Sequence, residues 1–146
     1  MNSTERNIIC HPDLREFRVP ARADRIAEVR EVVRDWLYRC GIDSAQTYDV
    51  LLAVSEAVTN AVEHGHRHAP GSVRIEGALT DSDIRVTVAD HGHWKPKDSP
   101  GGQIRGRGLD LIRALMTSVT VHTDATGTRI EMRLNPILRQ QSSPHR

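Results

Sequence analysis

An α+β architecture, a two-layer sandwich with helices on one face of a mixed, mainly antiparallel sheet, follows from three features of this sequence. Two stretches in the first half repeat apolar residues at helical spacing. Two pairs of short alternating stretches are joined by turn residues and read as hairpins. Runs of antiparallel strands and helices are also kept apart, which suggests two layers.

The elements follow in order. "LREFRVPA" (14 to 21) alternates Leu14, Phe17 and Val19 imperfectly with charge and ends at Pro20, a short strand. In "ADRIAEVREVVRDWLYRC", Ile26, Val29, Val33, Trp36, Leu37 and Cys40 recur at helical spacing, and Gly41 supplies a stop. Asp43 followed three residues later by Gln46 resembles a capping box opening a second helix that runs to about Gly65. There Tyr48, Leu51, Leu52, Val54, Val58, Ala61 and Val62 wrap most of the circumference. A narrow polar stripe of Asp49, Glu56, Asn60 and His64 remains.

"SVRIEGAL" and "DIRVTVAD" then form a hairpin around "TDSD". Asp90 shares the parity of Ile84, Val86 and Val88, so its carboxylate is directed inward. Residues 91 to 107, "HGHWKPKDSPGGQIRGR", hold four glycines, two prolines and four basic side chains without periodicity, the pattern of a long loop of the functional or disordered kind. "GLDLIRALM" restarts as a helix at Gly108. Strands "SVTVHT" and "GTRIEMRL" follow around "DATG", and Thr128 shares the inward parity of Ile130, Met132 and Leu134. The tail "NPILRQQSSPHR" reads as frayed. One domain over 13–135 with flexible termini at 1–12 and 136–146 is the expected organisation.

Composition excludes several classes. At 146 residues the chain suits a single domain with one sizeable core. Aromatics are only 3%, so aliphatic side chains must fill that core. Twenty Lys+Arg against 19 Asp+Glu leave a net charge of +1, not the basic footprint of a nucleic-acid binder. No apolar run approaches a membrane span, the N-terminus lacks a signal-peptide layout, and Cys10 and Cys40 form no CxxC pair. A cytoplasmic protein with free thiols is expected.

Burying Glu56 and Asn60 costs free energy unless something opposite compensates. Polar groups converge on that stripe from separate elements: Asp90 at a strand end, Thr128 at a strand start, and the glycine-rich loop. Gly106 and Gly108 precede a helix whose N-terminal N–H groups would suit a phosphate. Together they suggest a nucleotide pocket. Asp90 can accept from an exocyclic amine, Asn60 can ligate Mg²⁺ through its carbonyl oxygen, and Lys95, Lys97, Arg105 or Arg107 can neutralise phosphates. Singly, each has a plainer explanation: a solvated helix stripe, a turn aspartate, a helix start, a strand threonine. Five histidines, in "HGHRH" and "HGH", invite a zinc reading. The usual zinc spacing is missing, and alternate loop residues diverge, which argues against it.

At these residues the chain resembles the GHKL ATPase and kinase superfamily. "EAVTNAVEH" looks like its N box, "VADHG" its first glycine box, "GRGLDLI" the second, and "GT" at 127 to 128 the closing one, in the same order. Within it the chain is similar to the anti-sigma factor serine/threonine kinases of bacterial partner switching. The resemblance implies a Bergerat ATP-binding fold, ATP and Mg²⁺ as cofactors, and two protein partners: a sigma factor, and an anti-sigma factor antagonist with a STAS domain. It also allows a homodimer. Carried over by position, Glu56 matches the catalytic base, Asn60 the Mg²⁺ ligand and Asp90 the adenine anchor. Gly92, Gly106, Gly108 and Leu109 match the nucleotide-binding boxes, Arg105 lies in the lid, and Thr128 backs the adenine site. One departure stands out: Trp94 replaces the last glycine of the family's D-x-G-x-G pattern. A binding module that only sequesters partners is therefore the competing reading, followed by a detached histidine-kinase catalytic domain.

Overall fold

The computed structural model describes residues 13–65, 71–80, 82–90 and 107–139. Strand β1 (Leu14–Pro20) leads through a single 3₁₀ turn into helix α1 (Ile26–Arg39) and helix α2 (Ser44–Asn60), followed by a π-helical turn over Ala61–Gly65. Strands β2 (Ser72–Leu79) and β3 (Ile84–Asp90), helix α3 (Arg107–Leu115), and strands β4 (Ser118–Asp124) and β5 (Gly127–Leu134) complete it. The sheet order is β1-β2-β3-β5-β4.

Every pairing in that sheet is antiparallel, where the sequence pattern suggests a mixed sheet. The reason is topological. Strands β3 and β4, joined through α3, run parallel to each other, but β5 turns back and inserts between them. The bulge in β1 between Leu14 and Phe17 accounts for that strand's imperfect alternation. Its irregular spacing lets Leu14 pair with Gly77 and Phe17 with Ile75, so both side chains reach the same face.

The helices cover one sheet face, and the core between the layers is aliphatic apart from one large aromatic. Trp36, fully buried, lies over Gly77; a Cβ there would come within 2.7 Å of the indole. Glycine at this place in β2 is thus a packing requirement, not a turn. The opposite face carries Arg74, Arg85, Arg129 and Arg133 interspersed with Glu76 and Glu131, whose ion pairs include Arg133–Glu131 at 2.8 Å. Aliphatic stems lie along that face, and the charged heads stay in water.

Helix α1 ends in a Schellman motif. Gly41 adopts φ +77°, its N–H donates to Tyr38 O, and the Ile42 N–H donates to Leu37 O. Asp43 then caps α2, its carboxylate accepting from the N–H groups of Ala45 (3.1 Å) and Gln46 (3.2 Å). The expected capping box is only half formed. Instead of returning to Asp43, the Gln46 side chain donates through Nε2 to Asn135 O and accepts from the Ile137 N–H, both at 2.6 Å. Tyr48, read from sequence as part of the apolar wrap, is exposed, because inward-facing Gln46 sits two residues earlier and two helical residues point nearly opposite ways.

The same contacts correct the expectation of a frayed tail for residues 135–139. The Asp43 N–H donates to Ile137 O, Leu138 bridges Ile42, and the Arg139 N–H donates to Gly41 O. The Arg139 guanidinium also stacks over the Tyr38 ring at 4.2 Å. The strap gains these partners only because the α1–α2 corner presents its backbone groups there. The expected flexible segments 1–12 and 140–146 lie outside the described residues.

Candidate functional site

Helix α2 crosses the sheet with Val50, Ala53, Val54, Ala57 and Val58 turned into the core. That orientation fixes where its polar residues stand. Glu56 is half-buried and Asn60, the last α-helical residue, is 7% exposed. The helix does not continue regularly to Gly65 as the sequence suggests; it widens into the π turn directly after Asn60. Such widening re-aims side chains and is frequent at functional sites. The turn packs against both β3 and β5, bringing the end of α2 to the ends of those strands.

There Asp90 and Thr128 face each other across the β3–β5 ladder, 5% and 3% exposed. Their inward direction, inferred from parity, is what the strands produce. Asp90 also stands opposite Val73 on β2, so its carboxylate emerges at the border of an aliphatic surface.

The third component is the head of α3. Gly108, its second residue, lies directly on the α2 stripe: a Cβ added there would stand 3.0 Å from Glu56 Oε1 and 3.2 Å from Asn60 Oδ1. A residue without a side chain lets the N-terminus of α3 come this close to the two polar groups without displacing them. Leu109 turns the other way and is buried in the core. It anchors the helix by packing.

Asn60 Nδ2 is buried and, among the described residues, has no hydrogen-bond partner. An orphaned amide at an inward position is costly unless a ligand completes it. The amide, the adjacent half-buried carboxylate, and the bare backbone at Gly108 form a donor set that suits a hydrated divalent cation with phosphate oxygens. Gly92, Arg105 and Gly106 lie outside the described residues, as do Lys95, Lys97, Trp94 and the histidines of 66–68 and 91–93. The side chains of His64 and Arg107 are likewise outside the description.

The site contains one residue that the sequence reading passed over. Thr123 on β4 pairs directly with Thr128, and its hydroxyl oxygen is 3.5 Å from that of Thr128. Parity with Val119 and Val121 was the available signal.

A helical layer over an antiparallel sheet, with an acidic strand end and a glycine-led helix meeting a Glu/Asn stripe, defines a class of nucleotide-binding ATPase domain. The chain belongs to the histidine kinase-like ATPase domain family, whose model matches residues 19–134. It is similar to the serine-protein kinase RsbW of Staphylococcus aureus strains JH9 and Newman, each 32% identical over 136 residues, covering 82% of this chain and 85% of theirs. Among solved structures, the crystal structure of the RsbU and RsbW domains of Rv1364c from Mycobacterium tuberculosis superposes with a TM-score of 0.67 at 27% identity. That match covers 88% of this chain but 35% of the other, so this chain spans about a third of that longer protein. Among the described residues no helix is long and apolar enough to cross a membrane.

Proposed function

We propose that this chain is an ATP-dependent serine/threonine protein kinase that also acts as an anti-sigma factor. In this reading it holds a sigma factor in the cytoplasm and phosphorylates a STAS-domain antagonist so that the antagonist cannot displace that sigma factor. The observation that carries the proposal is the approach of Gly108 to within a methyl group of both Glu56 and Asn60. It sets a helix N-terminus, a carboxylate and an amide at one point, as phosphoryl transfer requires. The kinase name of the Staphylococcus relatives supports the same reading.

The roles follow from chemistry. Asn60 would hold Mg²⁺ through its amide oxygen, and the backbone at Gly108 would face the phosphates. Asp90, with Thr128 beside it, would accept from the amine of the base. ATP, when bound, supplies the phosphoryl group, and Mg²⁺ neutralises its charge. Glu56 would take the proton of the acceptor hydroxyl as general base. It stands on α2 one turn before Asn60, which is how a base and a metal ligand are placed side by side on one helix face.

The test is transfer itself. Incubated with Mg²⁺, labelled ATP and an antagonist that it binds, the protein should label a serine or threonine of that antagonist. Glu56→Gln should lower the rate by about 10²–10⁴-fold, the typical contribution of a general base, while nucleotide affinity stays within a few-fold. A bound antagonist that acquires no label would sink the kinase proposal and favour a module that only sequesters its partners.

A further inference from the structure

Three neighbouring strands change character at one level. The inward positions of β3 run Ile84, Val86, Val88 and then Asp90; those of β5 run Leu134, Met132, Ile130 and then Thr128; those of β4 run Val119, Val121 and then Thr123. The ladders place the three polar residues in one row, Asp90 opposite Thr128 and Thr128 opposite Thr123. On β2 the same row stays apolar, with Val73 opposite Asp90. The polar row therefore stops on one side at an aliphatic residue and on the other at Thr123, which is exposed on the edge strand. The turn after β4 holds this register. Asp124 accepts from the Thr126 N–H at 2.8 Å and from its hydroxyl at 2.6 Å. Those bonds keep the Asp124 carboxyl below its ordinary pKa.

We propose that Thr123 is a positioning residue that sets base selectivity at this site, an inference that rests on the ATP reading above. A hydroxyl has one proton to give and lone pairs to receive, and an ionised carboxylate only receives. Either hydroxyl can donate across the 3.5 Å gap between Thr123 and Thr128; in this proposal Thr123 is the donor. The Thr128 proton is thereby left for the ligand. Asp90 and Thr128 then present an acceptor beside a donor. Adenine offers the matching edge, an exocyclic amine beside a bare ring nitrogen. Guanine offers the reverse, a carbonyl beside a ring N–H: its carbonyl meets the Asp90 carboxylate like against like, and its N–H meets a hydroxyl whose proton must first turn away.

The experiment compares binding of ATP and GTP, each with Mg²⁺, to the full chain and to Thr123→Val and Thr123→Ser by calorimetry. Valine keeps the shape and suits a strand, so the variant should fold, and circular dichroism checks this. The unaltered chain should prefer ATP. Thr123→Val should reduce the ATP-to-GTP preference about three- to tenfold, the range that one neutral hydrogen bond spans, and Thr123→Ser should restore it to within about twofold. An unchanged preference in Thr123→Val overturns the proposal, as does an equal loss of both nucleotides, which would make Thr123 a structural strand residue only. Should the unaltered chain bind neither nucleotide, the ATP reading itself fails, an outcome distinct from a failure of Thr123 alone.

Discussion

Gly108 is the residue on which most of the site turns, because its missing side chain decides how close α3 may come to α2. Gly108→Ala places a methyl 3.0 Å from Glu56 Oε1 and 3.2 Å from Asn60 Oδ1, so those side chains must give way. The fold should survive, since the carboxylate end of Glu56 is a flexible tip. Nucleotide affinity should fall by at least about tenfold, equivalent to roughly 1.4 kcal/mol, and titration of a fluorescent ATP analogue measures it. A variant that binds as the parent does would show that the tight approach is packing alone. Cys40 offers a second residue-scale prediction. Burial pushes its thiol up from 9.0 to about 11, because the thiolate is poorly solvated there, with Arg39 opposing the shift and Asp13 adding to it. The folded pKa exceeds the unfolded one, so the contribution to stability is full below about pH 9 and is lost as pH rises through about 11. In a Cys10→Ser background, a thiol reagent at pH 8 should leave native Cys40 unmodified over the time that labels the denatured chain fully. Rapid labelling of the native protein would contradict its burial.

At the scale of elements, helix α2 is fastened at both ends by different means. Asp43 caps its first turn, and Gln46 ties that turn to the strap at 135–139 through two short bonds. At the other end the π turn rests on β3 and β5. Glu56 and Asn60 inherit their positions from this clamping. Gln46→Ala removes both side-chain partners of the strap and leaves the Ile137 N–H and Asn135 carbonyl to find water. It should cost about 1–3 kcal/mol in urea unfolding, within the range for losing partners of part-buried polar groups. Because α2 also carries the site residues, nucleotide binding should weaken in the same variant. Loss of stability with unaltered binding would confine the strap to a purely structural role. The sequence showed the cap at Asp43 but not the destination of Gln46, since a residue 89 positions away supplies the partner.

For the whole molecule, the site joins the helical layer to the sheet at one end of their shared core. A nucleotide that binds only the folded chain should stabilise it, by about 2.7 kcal/mol at a ligand concentration one hundred times Kd. Thermal melting with and without Mg²⁺ and ATP should show that shift. Asp90→Asn should lessen it, because a neutral amide oxygen accepts from the amine of the base more weakly than a carboxylate does. An equal shift in Asp90→Asn would remove Asp90 from base recognition. Net charge has little part in such binding: at +1 the chain has no long-range field to attract a polyanion, and any phosphate must be held by local donors.

The local pattern of residues settles the element order, the layered class and the inward direction of Asp90 and Thr128, because these follow from periodicities of two and 3.6 residues along the chain. It also determined the Gly41 stop and the Asp43 cap, whose partners lie within a few residues. Packing of distant segments settles that β5 inserts between β3 and β4, that the tail through Arg139 docks on the α1–α2 corner, and that α2 widens after Asn60. It alone put Thr123 beside Thr128 and Gly108 against Glu56 and Asn60. Each of these depends on contacts between segments whose pairing is set by packing of the whole core, and no local pattern encodes the partner of a side chain that must cross from one element to another.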